Sequence, residues 1–284
     1  CQPNGDFQVI STDHLRGFIA DPGLMTRIAA VHALGDVWAM GAQPQVGLAS
    51  IVLPQMSADL QRRTLLEITK IATEVLNAAG AQLVGGHTTM GAELTIGFTV
   101  TGTKNSMPLT IAGARDGDAL ILTRPIGSGV ILAADMLGQA GGCNVAATLA
   151  IMGQPQDREA TVLSTVAHAM TDVTGFGLAG HVHAICQASG LDAHLFQDAI
   201  PTYPGARALS DAGVSSTLMP ENYTDAPVNG LHDALLYDPQ TAGGLLASVP
   251  KIQSAAVIEA LGALGCTGHV IGRLSKGTGR VCLS

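Results

Sequence analysis

The first helix of the chain is indicated by apolar residues that recur at intervals of three or four positions. They are Leu24, Ile28, Val31, Leu34 and Trp38. Asp21 and Pro22 stand just before this stretch, and an acidic cap followed by proline is a common helix start. The pattern therefore predicts a helix over 24–40.

Around this helix the pattern alternates between strand and helix signals. In chain order the predicted elements are a strand that ends before Asp13, the helix 24–40, a strand 46–53, a helix from Ser57 to about Ala79, a short strand 81–84, a turn at Gly85–Gly86 and a strand 94–101. Serine is a helix-capping residue, and the glycine at position 80 is a typical helix end. The sequence thus predicts one βαβαββ unit.

A polar, turn-rich stretch over 102–117 separates this unit from the rest of the chain. We therefore predict two domains, 1–106 and 107–284. The pattern of the second domain predicts strands over 119–123, 191–195, 245–249 and 270–274 and helices over 127–137, 158–169, 175–189 and 252–264. The stretch 202–229 is rich in Pro, Gly, Ser and Asn and is predicted to be loop with short helical pieces. Both halves mix helix and strand.

The composition indicates a globular protein with a substantial core. Of 284 residues, 47% are hydrophobic and 13% are charged, whereas about 25% of the residues of soluble domains are usually charged. This low charge content predicts that surface is also buried between subunits, in a homo-oligomer. No apolar stretch reaches the roughly 18 residues of a membrane span, and the N-terminus lacks the pattern of a secretion signal. We therefore expect a cytoplasmic protein without a membrane partner.

The net charge and the cysteines argue against two further classes of protein. The formal net charge is -8, and Arg62–Arg63 is the only adjacent basic pair, so no basic surface for nucleic acid is indicated. The five cysteines are odd in number and widely separated, and none belongs to a CxxC motif. This spacing argues against a disulfide framework and against a zinc site.

Three aspartates stand in unusual settings. Asp13 follows a predicted strand, Asp36 lies within the helix 24–40, and Asp172 stands at the edge of a glycine-containing turn that leads into an apolar helix. On its helix, Asp36 shares a largely apolar face with His32 and Met40. Carboxylates brought together in such a setting repel each other unless a divalent cation neutralises them. Oxygen ligands favour magnesium or manganese over zinc, so the sequence predicts a magnesium-type site.

The predicted metal ion suggests a phosphate-containing ligand, because magnesium held by carboxylates commonly bridges to substrate phosphates. The stretch GlyGlyHisThrThrMetGly at 85–91 offers backbone amides and hydroxyls suited to a phosphate or nucleotide. The chain has no GxxxxGK[ST] loop and its four lysines are scattered, which excludes a P-loop site. Metal ions would then carry the charge neutralisation.

Structural interpretations of the same residues remain open. Each aspartate taken alone fits a helix cap or an Asx-turn. His87 alone fits a hydrogen-bonded core histidine, and the stretch 85–88 fits a plain tight turn. His181 and His183 are two positions apart and cannot share a helix face, so both are interpreted as structural. Asp238 is interpreted as the cap of a turn that leads into a buried strand.

Five motifs together resemble the selenophosphate synthetase (selenide, water dikinase) family. They are ThrAsp at 12–13, GlyAspValTrpAlaMetGlyAlaGlnPro at 35–44, GlyGlyHisThr at 85–88, MetThrAspValThrGlyPheGlyLeuAlaGlyHis at 170–181 and AspProGlnThrAlaGlyGlyLeu at 238–245. Their order and spacing agree with the family over essentially the whole chain. The last two motifs are specific to the family, whereas the Gly-Asp helix fits any relative of aminoimidazole ribonucleotide synthetase.

The resemblance implies a two-domain α+β protein with the aminoimidazole ribonucleotide synthetase-like fold, in which each domain is a mixed sheet with helices packed on it. It implies a homodimer, formed through the N-terminal sheets, that makes selenophosphate, AMP and orthophosphate from ATP, selenide and water with Mg²⁺. The implied nucleotide-binding residues are Thr12, Asp13, Asp36, Gly86, His87 and Thr88. The implied metal ligands are Asp13, Asp36 and Asp172.

The family also carries a glycine-rich segment with a catalytic cysteine or selenocysteine and a lysine, followed by an AspAsp stretch. This sequence contains neither, since Cys1 lies too close to Thr12 to be that cysteine and no lysine precedes Lys70. We expect the catalytic residues upstream of Cys1, and we expect the chain to be inactive without them. HisLeuArg at 14–16 is compatible with a branch in which a flavin-dependent dehydrogenase is fused upstream.

Two other functions remain open from the sequence. One is a nucleotide-binding pseudoenzyme that keeps the aspartates without turnover. The other is a different ATP-dependent synthetase of the same superfamily, which would need an amide or carbonyl substrate in place of selenide. Release of AMP that depends on selenide would distinguish the dikinase from both.

Overall fold

The computed structural model describes residues 5–284, so Cys1 lies outside the described residues. The chain divides into two compact units. The first comprises the described residues up to Pro108 together with Met152–Pro155, and the second comprises Leu109–Ile151 and Gln156–Ser284. Each unit contains one sheet with both parallel and antiparallel strand pairs and with helices packed on it. The predicted α+β class with mixed sheets is confirmed.

The first unit consists of four strands and two helices within its described residues. They are β1 (Phe7–Arg16), α1 (Pro22–Ala39), β2 (Gln43–Pro54), α2 (Ala58–Ala78), β3 (Gln82–Gly91) and β4 (Thr95–Lys104). The strand order is β1-β4-β2-β3; β2 and β3 are parallel, and the other neighbours are antiparallel. Helix α1 packs on α2, β1 and β4, and this contact buries Ile28, Leu34 and Trp38.

Both predicted helix starts are confirmed by side-chain caps. The Asp21 carboxylate accepts a hydrogen bond from the Leu24 N–H at 2.9 Å, with Pro22 in the first turn of α1. The Ser57 hydroxyl accepts from the Leu60 N–H at 3.4 Å at the start of α2. Because the first turn of a helix has no internal acceptors for its N–H groups, each cap stabilises its helix by about 1 kcal/mol.

One face of the first sheet is covered by helices, and the opposite face is not. Ile51 and Leu53 of β2 are buried, whereas Leu48, which points to the other side of the strand, is 46% exposed. Ile10 of β1 is 64% exposed. The register through β4 places Ile10 and Leu48 on the same side of the sheet. We call this side the uncovered face.

The predictions for β1 and β3 were wrong in their extent. The first strand continues through Asp13 to Arg16, because it pairs with β4 along its whole length. Gly85 and Gly86 do not form a turn; they continue β3, which runs beside β2. A Cβ added to Gly86 would lie 2.1 Å from the Ala49 carbonyl oxygen, so this glycine permits close approach of two strands.

The second unit contains the remaining strands and α-helices of the described chain. They are β5 (Ala119–Leu122), α3 (Ser128–Met136), α4 (Gly142–Met152, whose last residue belongs to the first unit), α5 (Asp157–Leu163), β6 (Ala169–Asp172), α6 (Gly177–Ser189), β7 (Leu191–Leu195), α7 (Ala206–Asp211), α8 (Met219–Asp225), β8 (Val228–Gly230), β9 (Leu245–Val249), α9 (Ser254–Ala263), β10 (His269–Lys276) and β11 (Val281–Leu283). The strand order is β6-β9-β5-β10-β7-β11-β8. A continuous core under α6 includes Leu120, Val182 and Leu246.

Several predictions in this unit need correction. The helix predicted over 158–169 ends at Leu163, and the chain turns before Ala169 begins β6. Helix α4 and the final strand β11 were not predicted. The stretch 202–229, predicted to be loop with short helical pieces, contains α7 and α8 and also reaches β8. The helix predicted over 175–189 ends as expected: Gly190 closes α6 with φ 67°, a left-handed conformation that glycine adopts easily.

Within residues 5–284, no helix combines the length and the apolar character needed to cross a bilayer.

Candidate functional site

Two of the predicted aspartates lie close together in the first unit. Asp13 belongs to β1 and Asp36 to α1, which packs on that strand. Ser11 precedes Asp13 by two positions and therefore projects from the same side of β1. Its hydroxyl donates a hydrogen bond to Asp36 Oδ2 and lies 3.5 Å from Asp13 Oδ2. The fold thus joins both carboxylates through one serine hydroxyl.

His32 completes this acidic group from the preceding turn of α1. Its side chain is 12% exposed, and its Nε2 lies 4.0 Å from Asp13 Oδ1. Burial lowers the pKa of His32, against the opposing influence of Asp13 and Asp36. Burial also raises the pKa of Asp13; His32 counteracts this shift, and Asp36 adds to it.

In the part of the chain that the structure describes, neither Asp13 nor Asp36 forms an ion pair with a lysine or arginine. Two carboxylates in a partly buried site repel each other, and the neighbouring histidine is shifted towards its neutral form. A divalent cation would relieve this repulsion. We name Asp13, Asp36, Ser11 and His32 the acidic site.

Thr12 points away from the acidic site. Its hydroxyl lies 2.9 Å from the Thr99 hydroxyl of β4, on the uncovered face. Since neighbouring residues of a strand project to opposite sides, Thr12 and Asp13 lie on different faces of the sheet.

The other predicted nucleotide-binding residues lie in β3. Gly86, His87 and Thr88 are exposed to solvent. His87 pairs in register with Ser50, which belongs to the uncovered face of β2. The structure therefore does not place His87 on the sheet face that carries Asp13. Its role in nucleotide binding stays a prediction.

Asp172 belongs to the second unit, where it is the last residue of β6. It is 6% exposed, and β6 pairs with β9 up to this residue. The next two residues are held by main-chain hydrogen bonds: the Val173 N–H donates to the Gly244 carbonyl at 2.8 Å, and the Gln240 N–H donates to the Thr174 carbonyl at 3.0 Å. The chain after Asp172 is therefore fixed by a distant segment of the sequence.

The histidines interpreted as structural have structural partners. His181 Nε2 accepts a hydrogen bond from the Thr174 N–H at 2.9 Å. His183 Nε2 lies 2.8 Å from the Pro227 carbonyl oxygen. Both side chains therefore serve the packing of the second unit.

The Asp238 carboxylate caps the start of α3, whereas the sequence predicted a cap of the turn that leads into β9. Its Oδ2 accepts from the Gly129 N–H at 2.9 Å, although the two residues are 109 positions apart. The side chain is fully buried, and burial raises the pKa of Asp238 to about 7. A sequence pattern reveals the capping residue type but not a partner so far away.

The acidic site suits a magnesium ion by the chemistry of its donors. Among residues 5–284, no three His, Cys, Asp or Glu side chains are grouped as a ready-made metal site. Mg²⁺, however, is commonly bound through one or two carboxylates while substrate phosphates and waters complete its shell. Two adjacent carboxylates with a hydroxyl between them fit that mode of binding.

Comparison with known proteins decides the family. Residues 2–103 match the N-terminal domain of AIR synthase related proteins, and residues 115–282 match their C-terminal domain. The chain is 33% identical over 283 residues to the selenide, water dikinase of Bdellovibrio bacteriovorus, covering 95% of this chain and 80% of that protein. It is 35% identical to the corresponding protein of Burkholderia ambifaria, covering 96% and 80%. The chain belongs to the selenide, water dikinase family.

Solved structures share the fold of this dikinase family member at lower identity. Thiamine-monophosphate kinase from Stenotrophomonas maltophilia K279a matches with a TM-score of 0.79 at 19% identity, covering 100% of this chain and 87% of that chain. The hydrogenase maturation protein HypE, solved in complex with ATP, matches with a TM-score of 0.74 at 19% identity, covering 97% and 81%. The predicted aminoimidazole ribonucleotide synthetase-like fold is confirmed.

Two members of the acidic site, Ser11 and His32, were not predicted from the sequence. Ser11 stands two residues before Asp13 in a strand, a spacing that places both side chains on one face. His32 was predicted only to share a largely apolar helix face with Asp36. Its spacing of four residues from Asp36 places it on that face, but its approach to Asp13 depends on how α1 packs on β1.

Proposed function

We propose that this protein makes selenophosphate from selenide, ATP and water and releases AMP and orthophosphate. The observation that carries the proposal is 32–35% identity, over most of both chains, to proteins named selenide, water dikinase. The paired carboxylates of the acidic site supply a chemical reason for the use of ATP with a divalent cation.

Asp13 and Asp36 would hold Mg²⁺ at the phosphates of ATP. In the second unit, Asp172 is likewise proposed as a magnesium ligand. When bound, Mg²⁺ would neutralise charge that develops on the transferred phosphoryl groups. Ser11 orients Asp36, because it donates its single hydroxyl proton to that carboxylate, and the same hydroxyl oxygen lies 3.5 Å from Asp13 Oδ2. His32 restricts Asp13 from the other side. Thr12, Gly86, His87 and Thr88 are proposed to contact the nucleotide.

The decisive experiment measures the products that the full-length protein forms from ATP with and without selenide. We expect AMP and orthophosphate in the presence of selenide and Mg²⁺. A product of ADP without AMP would indicate an ordinary kinase. Binding of Mg²⁺-ATP with no selenide-dependent AMP would indicate a pseudoenzyme. Either result would overturn the proposed function.

The acidic site is tested by the isosteric change Asp36→Asn. Loss of one of two carboxylates should lower AMP formation by about a hundredfold or more and weaken Mn²⁺ binding. Even the change of a residue that only hydrogen-bonds to a metal ligand costs about 10–100-fold in metal affinity. Asp59→Asn is the matched control, because Asp59 is an exposed residue of the first turn of α2. AMP formation by this variant should be unchanged. Full activity of the Asp36 variant would remove Asp36 from the site.

Other expectations from the sequence keep the status of predictions. They are selenide as the acceptor, the homodimer, Mg²⁺ as the cation, the cytoplasmic location and the fusion to a flavin-dependent dehydrogenase. The domain division at 106/107 is likewise a proposal.

A further inference from the structure

The chain that follows Asp172 is held in place by a buried segment much later in the sequence. We call residues 238–244 the clamp segment. Its Gln240 N–H donates to the Thr174 carbonyl at 3.0 Å, and its Gly244 carbonyl accepts from the Val173 N–H at 2.8 Å. Both bonds are made by main-chain atoms, so the position of the clamp segment sets the position of residues 172–174.

Gln240 fastens the clamp segment to the start of α3. Its Oε1 accepts from the Gly127 N–H at 3.0 Å, from the Ser128 N–H at 3.1 Å and from the Ser128 hydroxyl at 3.0 Å. Its Nε2 donates to the Asp238 carbonyl at 2.6 Å. The Thr241 N–H donates back to the Ser128 hydroxyl at 3.1 Å. One buried side chain thus connects two segments more than 100 residues apart.

Two further side chains fix the other end of the clamp segment. Arg124 Nη1 donates to the Ala242 carbonyl at 2.7 Å, and Gln156 Nε2 donates to the Gly243 carbonyl at 2.8 Å. Ala242 has φ 48°, and within residues 5–284 no other non-glycine residue has a positive φ. A left-handed alanine costs of order 1 kcal/mol and persists only where its surroundings hold it. The clamp segment is therefore a tightly determined piece of main chain.

Gly243 sets how closely the clamp segment approaches Asp172. A Cβ at this position would lie 2.0 Å from the Val173 carbonyl oxygen and 2.9 Å from Gln240 Cβ. The oxygen is a main-chain atom and cannot move without its peptide. A side chain here must therefore displace the residue next to Asp172 or the clamp segment itself.

We propose that the clamp segment positions Asp172 for binding the divalent cation, with Gly243 as the positioning residue. The inference rests on the proposed function, in which Asp172 is a metal ligand. Metal ligands hold their geometry through surrounding hydrogen bonds, and here the two residues that follow Asp172 are hydrogen-bonded to the main chain of 238–244. The AspProGlnThrAlaGlyGlyLeu motif would thus position a metal ligand in the second unit.

The test is Gly243→Ala in the full-length protein, with Mn²⁺ as the probe and its binding followed by electron paramagnetic resonance. We expect Mn²⁺ affinity to fall by about tenfold or more. Amide hydrogen exchange in the peptide that contains Val173 and Thr174 should become faster. Gly272→Ala is the matched control: Gly272 is also a buried glycine, and its Cβ would meet the His194 main-chain oxygen at 2.5 Å, elsewhere in the sheet. It should lower thermal stability and leave Mn²⁺ affinity unchanged.

A second variant covers the case in which Gly243→Ala does not fold. Gln240→Glu keeps the shape of the side chain but replaces the donor to the Asp238 carbonyl by a carboxylate oxygen. It should weaken Mn²⁺ binding in the same direction. Equal losses in Gly272→Ala and in the clamp variants would show general destabilisation and overturn the inference.

The variant Asp172→Asn tests the metal role of Asp172 separately from its positioning by the clamp segment. If this change leaves Mn²⁺ affinity intact, the metal role in the proposed function is wrong. If it weakens Mn²⁺ binding while both clamp variants bind normally, the metal role stands and the clamp inference alone is wrong.

Discussion

At the scale of single residues, Asp238 shows how burial changes a carboxylate. Oδ2 accepts from the Gly129 N–H and from Gln240 Nε2, whereas Oδ1 is buried and has no hydrogen-bond partner in the described part of the chain. Burial raises the pKa of Asp238 from 3.8 to about 7. The folded state therefore binds this proton more tightly than the unfolded state. The protonated Asp238 side chain therefore stabilises the folded state fully below pH 4, and this contribution is lost as the pH rises to about 7.

Asp238→Asn imitates the protonated side chain and should remove this dependence on pH. Relative to the parent protein, the variant should gain stability as the pH rises from 4 to 7, by up to about 1.4 kcal/mol per pH unit, with no further gain above pH 8. Urea unfolding at several pH values measures the difference. A difference that does not change with pH would contradict the proposed protonation.

Asp192→Asn provides a control of opposite sign. Hydrogen bonds from the main chain of Arg280, Thr278 and Gly279 lower the pKa of Asp192. Its stabilising effect is therefore present above the unfolded value near 3.8 and is lost as the pH falls. The Asp192→Asn variant should be less stable than the parent protein at neutral pH, and the difference in stability should disappear in acid.

At the scale of elements, β3 is the least covered part of the first unit. It pairs with β2 along one edge and lies at the end of the four-stranded order. Gly85 and Gly86 share nearly the same φ, 159° and 158°, but only Gly86 lies against main-chain atoms of β2. Alanine at either position would therefore have the same backbone conformation, but only alanine at position 86 would meet main-chain atoms of β2.

Gly86→Ala should destabilise the protein by about 2 kcal/mol more than Gly85→Ala, because the added methyl meets the Ala49 carbonyl in the first variant and only the Leu48 side chain, at 3.6 Å, in the second. Chemical denaturation of the two variants measures this difference. Equal losses would mean that β3 moves away from β2 at little cost.

At the scale of the whole molecule, the uncovered face supports the predicted dimer. Ile10 and Leu48 expose apolar side chains on one side of a sheet whose other side is packed with helices. Exposed apolar side chains on a sheet face without helices are compatible with a protein interface. The low content of charged residues agrees with buried subunit surface.

Ile10→Lys combined with Leu48→Lys should convert the predicted dimer to a monomer, because two lysines would be buried without partners. Sedimentation velocity measures the change in mass. Ile252→Lys is the control, since Ile252 is 91% exposed in the second unit and its replacement should leave the mass unchanged. A parent protein that sediments as a monomer would refute the dimer itself.

The parts of the fold that were predicted correctly depend on local sequence. Helices α1 and α2 follow from apolar spacing and from the caps Asp21 and Ser57, which act within one turn. The extent of β1 and β3 depends on partners far along the chain, so Gly85–Gly86 was mistaken for a turn.

The same limit applies to the candidate site. Asp36 and Asp172 stand out because charged residues are rare in apolar stretches, and Asp13 stands out because it follows a predicted strand. Both are local properties of the sequence. The contacts of Gln240 span more than 100 residues, and their existence depends on the packing of α3 beside the clamp segment. Such long-range contacts cannot be predicted from the local sequence pattern.

The pairing of β1 with β4 has a consequence for synthesis on the ribosome. Phe7 pairs with Lys104 and Arg16 with Thr95, so among the described residues the strand that carries Asp13 has no sheet neighbour until β4 has been translated. Helix α1 can form as soon as it leaves the exit tunnel. Helix α1, which carries Asp36, can therefore form before β1 is fixed in the sheet. Asp13 and Asp36 take up their final positions only after β4, the last strand of the first unit, has emerged.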